Sequence, residues 1–134
     1  MKKVLVIDDE ITIKTLCSQL ESFFDFEVTL LHDYRLWELE LNNGYNAIII
    51  DVAMPILPSF FVEDEVKNAE NGLKTGIVLF EKIRMSYPEI PIIFYSFTKE
   101  RICCDEKTII IRKPKLSRTI ANALNYLIDS SSTI

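Results

Sequence analysis

The sequence predicts an α/β fold, a doubly wound sheet of five parallel strands in the order 2-1-3-4-5. Short apolar runs rich in β-branched residues recur at 4–7, 27–31, 47–50, 92–95 and 108–111. Each run is continuous rather than alternating, the pattern of strands covered on both faces. Segments of helical period fill the gaps, so successive strands are joined by right-handed βαβ crossovers.

The first run, Val4-Leu5-Val6-Ile7, stops at Asp8, Asp9 and Glu10. Although Lys2 and Lys3 precede it, it is too short for the apolar core of a signal peptide. A stripe of Ile13, Leu16, Cys17, Leu20, Phe23 and Phe24 predicts a helix with that face in the core. After the second strand, residues 34–42 predict a short helix with Trp37 and Leu41 on one side, closed by Asn43-Gly44. The third strand ends at Asp51. Residues 56–75 then form a long connection carrying Phe60-Phe61 and Glu63-Asp64-Glu65. Connections of that length are uncommon in compact domains and are often functional.

Ile77, Leu79, Phe80 and Ile83 mark the next helix, and the fourth strand closes at Ser96. Residues 97–107 include Thr98-Lys99-Glu100-Arg101 and leave room for a helix of no more than about three turns. The fifth strand leads to Lys113-Pro114. Leu116, Ile120, Ala123, Leu124 and Leu127 predict the last helix, and the serines at 130–132 are expected to fray. The whole reads as a flavodoxin-like (βα)5 three-layer sandwich over residues 1–129 with a tail at 130–134.

Composition narrows the function. The 134 residues suit one domain. The net charge of −5 leaves no broad basic surface, and the one close basic group is Arg112, Lys113, Lys115 and Arg118. No direct nucleic-acid contact is expected. No stretch reaches the length of a membrane span, so the expectation is a cytoplasmic protein with no membrane partner. Three cysteines argue against a disulfide framework. Cys17 is expected in the core. The Cys103-Cys104 pair has no further ligands nearby in the sequence, so a zinc site is not expected.

The strand order places the C-terminal ends of strands 1 and 3 side by side at the topological switch point, where ligands bind in such sheets. Asp8, Asp9 and Asp51 therefore meet. Two unit charges about 4 Å apart repel by about 4 kcal/mol at an effective dielectric near 20. Such a cluster requires raised pKa values or a cation, and Mg²⁺ suits few carboxylates, several waters and a phosphate oxygen. Ser96 and Lys113 end strands 4 and 5 on the same edge. A hydroxyl and an ammonium there can bind phosphoryl oxygens, and a carboxylate is a covalent phosphoryl acceptor. Asp51, alone after Ile48-Ile49-Ile50, is the candidate acceptor.

Each residue alone has a plainer reading. Asp8, Asp9 and Glu10 suit the start of the first helix as caps, Asp51 suits the start of a loop, and Lys113 suits a solvated strand end. Their conjunction on one edge favours a phosphoryl site.

The sequence resembles the receiver domains of bacterial two-component response regulators over about residues 2–129. The resemblance rests on Val4-Leu5-Val6-Ile7-Asp8-Asp9-Glu10, Ile49-Ile50-Asp51-Val52-Ala53-Met54-Pro55, the stretch from Gly76 to Ile83-Arg84, Pro91-Ile92-Ile93-Phe94-Tyr95-Ser96 and Lys113-Pro114. It implies that Asp51 accepts a phosphoryl group from the phosphohistidine of a sensor histidine kinase or histidine phosphotransfer protein, switching binding to a downstream protein. It implies Mg²⁺ held by Asp9, Asp51 and the Ala53 carbonyl, with Asp8 acting largely through water. It further implies that Ser96 and Lys113 contact the phosphoryl group, that Ala53 and Thr98 flank the attacking water's path, and that the Lys113-Pro114 bond is cis. Such a domain catalyses only its own phosphorylation and dephosphorylation. No output domain follows residue 129, so the expectation is a stand-alone receiver or one cut from a longer protein.

Four departures from the family pattern concern the readout. Phe97 stands where a small residue usually gives access to the acceptor. Ile110 stands where an aromatic usually reports activation. The segment between Ser96 and Lys113 is short, and 56–75 is long. The insertion, with Phe60-Phe61, is a candidate partner surface, the alternative being a loop that packs its own aromatics. Two other functions stay open: a pseudo-receiver that binds partners without phosphorylation, favoured by Phe97 and Ile110, and a phosphatase with an aspartyl nucleophile, which the adjacent rather than alternating acids oppose.

Overall fold

The computed structural model describes residues 1–98, 102 and 104–132. Strands β1 (Lys2–Ile7), β2 (Phe26–Leu31), β3 (Ala47–Ile50), β4 (Ile92–Ser96) and β5 (Thr108–Arg112) form one parallel sheet in the expected order, β2-β1-β3-β4-β5. The helices are α1 (Ile13–Phe24), α2 (Trp37–Leu41), α3 (Glu63–Asn68), α4 (Thr75–Ser86) and α5 (Ser117–Ser132). No described residue within 97–107 is helical, contrary to the expected short helix, while Lys99, Glu100, Arg101 and Cys103 lie outside the described residues.

Alternation along each strand feeds two cores, which is why the apolar runs are continuous. Val4, Val6, Ala47, Ile49, Ile93 and Tyr95 pack beneath α1 and α5. Leu5, Ile7, Ile48, Ile50, Ile92 and Phe94 pack beneath α2 and α4. Full burial of such side chains contributes about 1.5–3 kcal/mol each. Cys17 belongs to the first core, and burial pushes its thiol up to about 11, so it is an inert packing residue. Ile7 is level with Ile50, Ile50 with Phe94, and Ser96 with Arg112, so the strand ends line up along one edge.

Three expectations are corrected. Phe23 and Leu116 are 71% and 78% exposed. Phe23 lies at the flank of the α1 stripe, and Leu116 precedes the first turn of α5 instead of belonging to its buried face. The serines at 130–132 belong to α5, and Ser130 Oγ donates to the Tyr126 carbonyl at 2.7 Å.

The connection at 56–75 is built rather than open. It holds α3 and a 3₁₀ turn, Glu70–Gly72. Tyr34, buried after β2, donates its hydroxyl to the Pro55 carbonyl at 2.7 Å and accepts from the Leu57 amide at 2.8 Å. Phe60 meets the Tyr34 ring edge-on and Phe61 stacks beside it. Lys82 of α4 pairs with Glu65 at 2.8 Å and lies over the Phe60 ring. Phe60 and Phe61 thus serve packing, a contribution of about 0.5–1.5 kcal/mol per aromatic pair beyond area burial.

Arg84 ties the end of α4 to the sheet. It donates to both carboxylate oxygens of Asp105, to Thr108 Oγ1, and to the carbonyls of Tyr87 and Ile90. Its hydrogen bonds hold the Asp105 carboxyl at about 2, below the usual 3.8. A depressed folded-state pKa stabilises above the unfolded value and is lost as pH falls through the folded one. The wild type is therefore expected to exceed Asp105→Asn in urea-melt stability at pH 6, with the gap closing between about pH 4 and pH 2. Asp105 is substantially exposed, so screening limits the charge contribution to about 1 kcal/mol.

Candidate functional site

The site lies where β1, β3, β4 and β5 end. Asp8 and Asp9 follow β1, Asp51 follows β3, Ser96 closes β4 and Lys113 follows β5. All five come together as the sequence places them. Asp8, Asp9 and Asp51 each offer a carboxylate oxygen within 4.8 Å of the others. Asp8 and Asp51 are 2% and 3% exposed, while Asp9 faces solvent.

Lys113 neutralises part of this charge. Its Nζ lies 2.9 Å from Asp8 Oδ2, 3.4 Å from Asp51 Oδ2 and 3.6 Å from Glu10 Oε2. Ser96 Oγ donates to Asp51 Oδ1 at 2.5 Å. The plainer readings of Asp8 and Lys113 fail on geometry. Asp8 is buried and accepts from the Glu10 amide at 2.9 Å, whereas α1 starts only at Ile13. Lys113 is buried, not solvated.

The electrostatics follow from burial. Desolvation pushes the Asp8 carboxyl up, aided by the Asp51 charge and opposed by the hydrogen bonds from Lys113 and the Glu10 amide. Burial works to lower the Lys113 ammonium, but its hydrogen bond to Asp8 and the fields of Asp51, Asp8 and Glu10 outweigh it. Lys113 is therefore held above its usual value and stays charged. One ammonium against three carboxylates leaves an excess of negative charge facing Asp9 and solvent. Hard oxygen donors, crowding and an exposed side fit a divalent cation with retained waters. Ala53, two residues after Asp51, is exposed.

No protein-family model and no curated protein sequence matches the chain. Solved structures do. A response regulator receiver domain protein from Clostridium thermocellum superposes with a TM-score of 0.72 at 20% identity, covering 98% of each chain. The chemotaxis protein CheY4 of Vibrio cholerae gives 0.70 at 24% identity, covering 95% of this chain and 98% of that one. The receiver domain of the Francisella response regulator 1452 gives 0.68 at 22% identity, over 98% and 99%. This chain has the receiver-domain fold.

Within the receiver fold, the start of α4 fixes the loop that follows Asp51. Thr75 Oγ1 donates to the Met54 carbonyl at 2.6 Å, and the Gly76 amide donates to the Val52 carbonyl at 2.7 Å. A Cβ on Gly76 would stand 2.0 Å from the Asp51 carbonyl oxygen. The Lys113-Pro114 bond is cis. Tyr95 Oη accepts from the Lys115 amide at 2.9 Å, securing the turn that carries Lys113.

Sequence reasoning gave Glu10 only a capping role and missed Thr75 and the Tyr95 hydroxyl. Glu10 was legible as a third acid on the same strand end. Thr75 and Tyr95 act on backbone groups about twenty residues away, which no local pattern reveals. Phe97 is 60% exposed at the mouth of the site, and Ile110 lies on β5, partly exposed.

Proposed function

We propose that the protein is a phosphorelay receiver in which Asp51 accepts a phosphoryl group from the phosphohistidine of a histidine kinase or phosphotransfer protein. The observation that carries this reading is the meeting of Asp8, Asp9 and Asp51 with Lys113 and Ser96 at one sheet edge. Asp9, Asp51 and the Ala53 carbonyl would hold Mg²⁺, with Asp8 acting through water. The ion would relieve carboxylate repulsion and offset charge on phosphoryl oxygens.

The protein's own groups do the rest. An Asp51 carboxylate oxygen is the nucleophile. Ser96 Oγ, already aimed at Asp51, shifts its hydrogen bond to a phosphoryl oxygen, and Lys113 follows the new charge from Asp51. Breaking the Ser96 and Lys113 contacts with the free carboxylate is the event that switches binding to a downstream protein. No helix among the described residues is long and apolar enough to cross a membrane. The role is that of a signalling domain, modifying only itself.

Mixing the protein with Mg²⁺ and beryllofluoride or acetyl phosphate tests the proposal against Asp51→Asn. A stoichiometric adduct that disappears in the variant is expected. No adduct would favour phosphorylation-independent binding, and sustained hydrolysis of phosphate esters would favour a phosphatase.

A further inference from the structure

Phe97 is the one large apolar side chain exposed beside the acceptor site among the described residues closing β4 and β5. Its ring centroid lies 5.6 Å from Lys113 Nζ, and the Tyr95 ring lies 5.5 Å from the same atom. Lys113 in turn is 3.4 Å from Asp51. A pocket of about 290 Å³ opens here, walled by Ile13, Leu16, Tyr95, Phe97 and Pro114, with Glu10 and Lys113 at its polar end. Neither Asp8 nor Asp51 lines it, so it is a neighbour of the acceptor rather than the acceptor site itself.

The burial of Asp51 demands an account of this arrangement. The exposed phenyl ring beside Lys113 contributes no charge or hydrogen bond to a phosphoryl group. Its chemistry suits a flat ring. A phosphoimidazole donor carries one as its leaving group, whereas an acyl phosphate does not. The volume beside Phe97 is at the low end for a small-ligand site and amply holds a five-membered ring. Glu10 at the polar end offers an acceptor for a ring N–H.

We infer that Phe97 is a donor-specificity residue: its ring stacks on the departing imidazole and makes the protein select phosphoimidazole donors over acyl phosphates. The inference rests on Asp51 being the acceptor. In the step, the P–N bond breaks as the bond from phosphorus to an Asp51 carboxylate oxygen forms. The electron pair of the broken bond stays on the ring nitrogen. The ring keeps the proton on its other nitrogen and leaves as neutral imidazole. Acetyl phosphate releases acetate, which has no ring to stack and gains nothing from Phe97.

The test compares initial rates of adduct formation from monophosphoimidazole and from acetyl phosphate, with Mg²⁺ present, in wild type, Phe97→Ala and Phe97→Leu. Phe97 is largely exposed, so both variants are expected to fold. The rate ratio, imidazole donor over acyl donor, is expected to fall about fivefold to tenfold in both, the scale of one aromatic stacking contact. Free imidazole is expected to inhibit the wild type and to lose that effect in both variants. An unchanged ratio in Phe97→Ala overturns the inference and leaves the acceptor role standing. A ratio lost in alanine but kept in leucine also overturns it, because bulk rather than the ring would then decide. Absence of any adduct from either donor overturns the acceptor role itself.

Discussion

Gly76→Ala is expected to destabilise the protein by about 3 kcal/mol and to depress adduct formation together with it. The added methyl would sit 2.0 Å from the Asp51 carbonyl oxygen and 2.8 Å from Val52 Cα. Both are backbone atoms, so no side chain can swing aside. Either α4 withdraws from the sheet, breaking the Thr75 and Gly76 hydrogen bonds to Met54 and Val52, or the Asp51 loop shifts. Overpacking of this kind costs about 1–3 kcal/mol or more. Gly44→Ala is the control. Gly44 has φ +82° and nothing within 4 Å of an added Cβ, so backbone strain alone applies, about 1–2 kcal/mol. Thermal melts are expected to rank wild type above Gly44→Ala above Gly76→Ala, and only Gly76→Ala is expected to lose adduct yield at a temperature where it is folded. Equal melting points for the two variants would contradict the close approach at Asp51.

Lys113→Met is expected to cost about 2–4 kcal/mol in metal-free buffer, more than any surface lysine. Lys113 is the buried cation that touches Asp8 and Asp51. Removing one partner of a buried pair leaves the other uncompensated, at about 3–5 kcal/mol where no relief exists. Here Asp8 has partial relief, because its carboxyl is already pushed toward protonation. The methionine stem preserves packing, so the loss reports charge. Added Mg²⁺ is expected to raise the melting temperature of the variant more than that of the wild type, since the carboxylates then lack their internal counter-ion. An unchanged melting point, or a Mg²⁺ effect no larger than in wild type, would contradict this electrostatic picture.

The fold was legible because each central strand is buried on both faces. Ile48-Ile49-Ile50 reads as a continuous run for the same reason that Ile48 and Ile50 enter one core and Ile49 the other. The site was legible because parallel topology carries strand ends to one edge, so Asp8, Asp51, Ser96 and Lys113 needed only their positions at those ends. What stayed hidden depends on distant partners. Tyr34 looks like an ordinary helix-start aromatic, yet it holds Pro55 and Leu57 and receives Phe60 and Phe61. Of the two readings the sequence left open for Phe60-Phe61, a partner surface or self-packing aromatics, the Tyr34 contacts favour packing. Phe23 and Leu116 match a helical stripe by spacing, but spacing does not report where a stripe ends. Gly76 was legible as a motif residue, but its physical role was not, because that role is the closeness of another segment's backbone.

The acceptor role proposed for Asp51 has a direct chemical readout. An acyl phosphate on aspartate is reduced by borohydride to homoserine. The protein would be treated with Mg²⁺ and a small phosphoryl donor, trapped with borohydride, digested and mapped by peptide mass. Homoserine at position 51 in the wild type, with none in Asp51→Asn, is the expected result. Homoserine at another aspartate, or an unmodified position 51 under conditions where the donor is consumed by the protein, would contradict it.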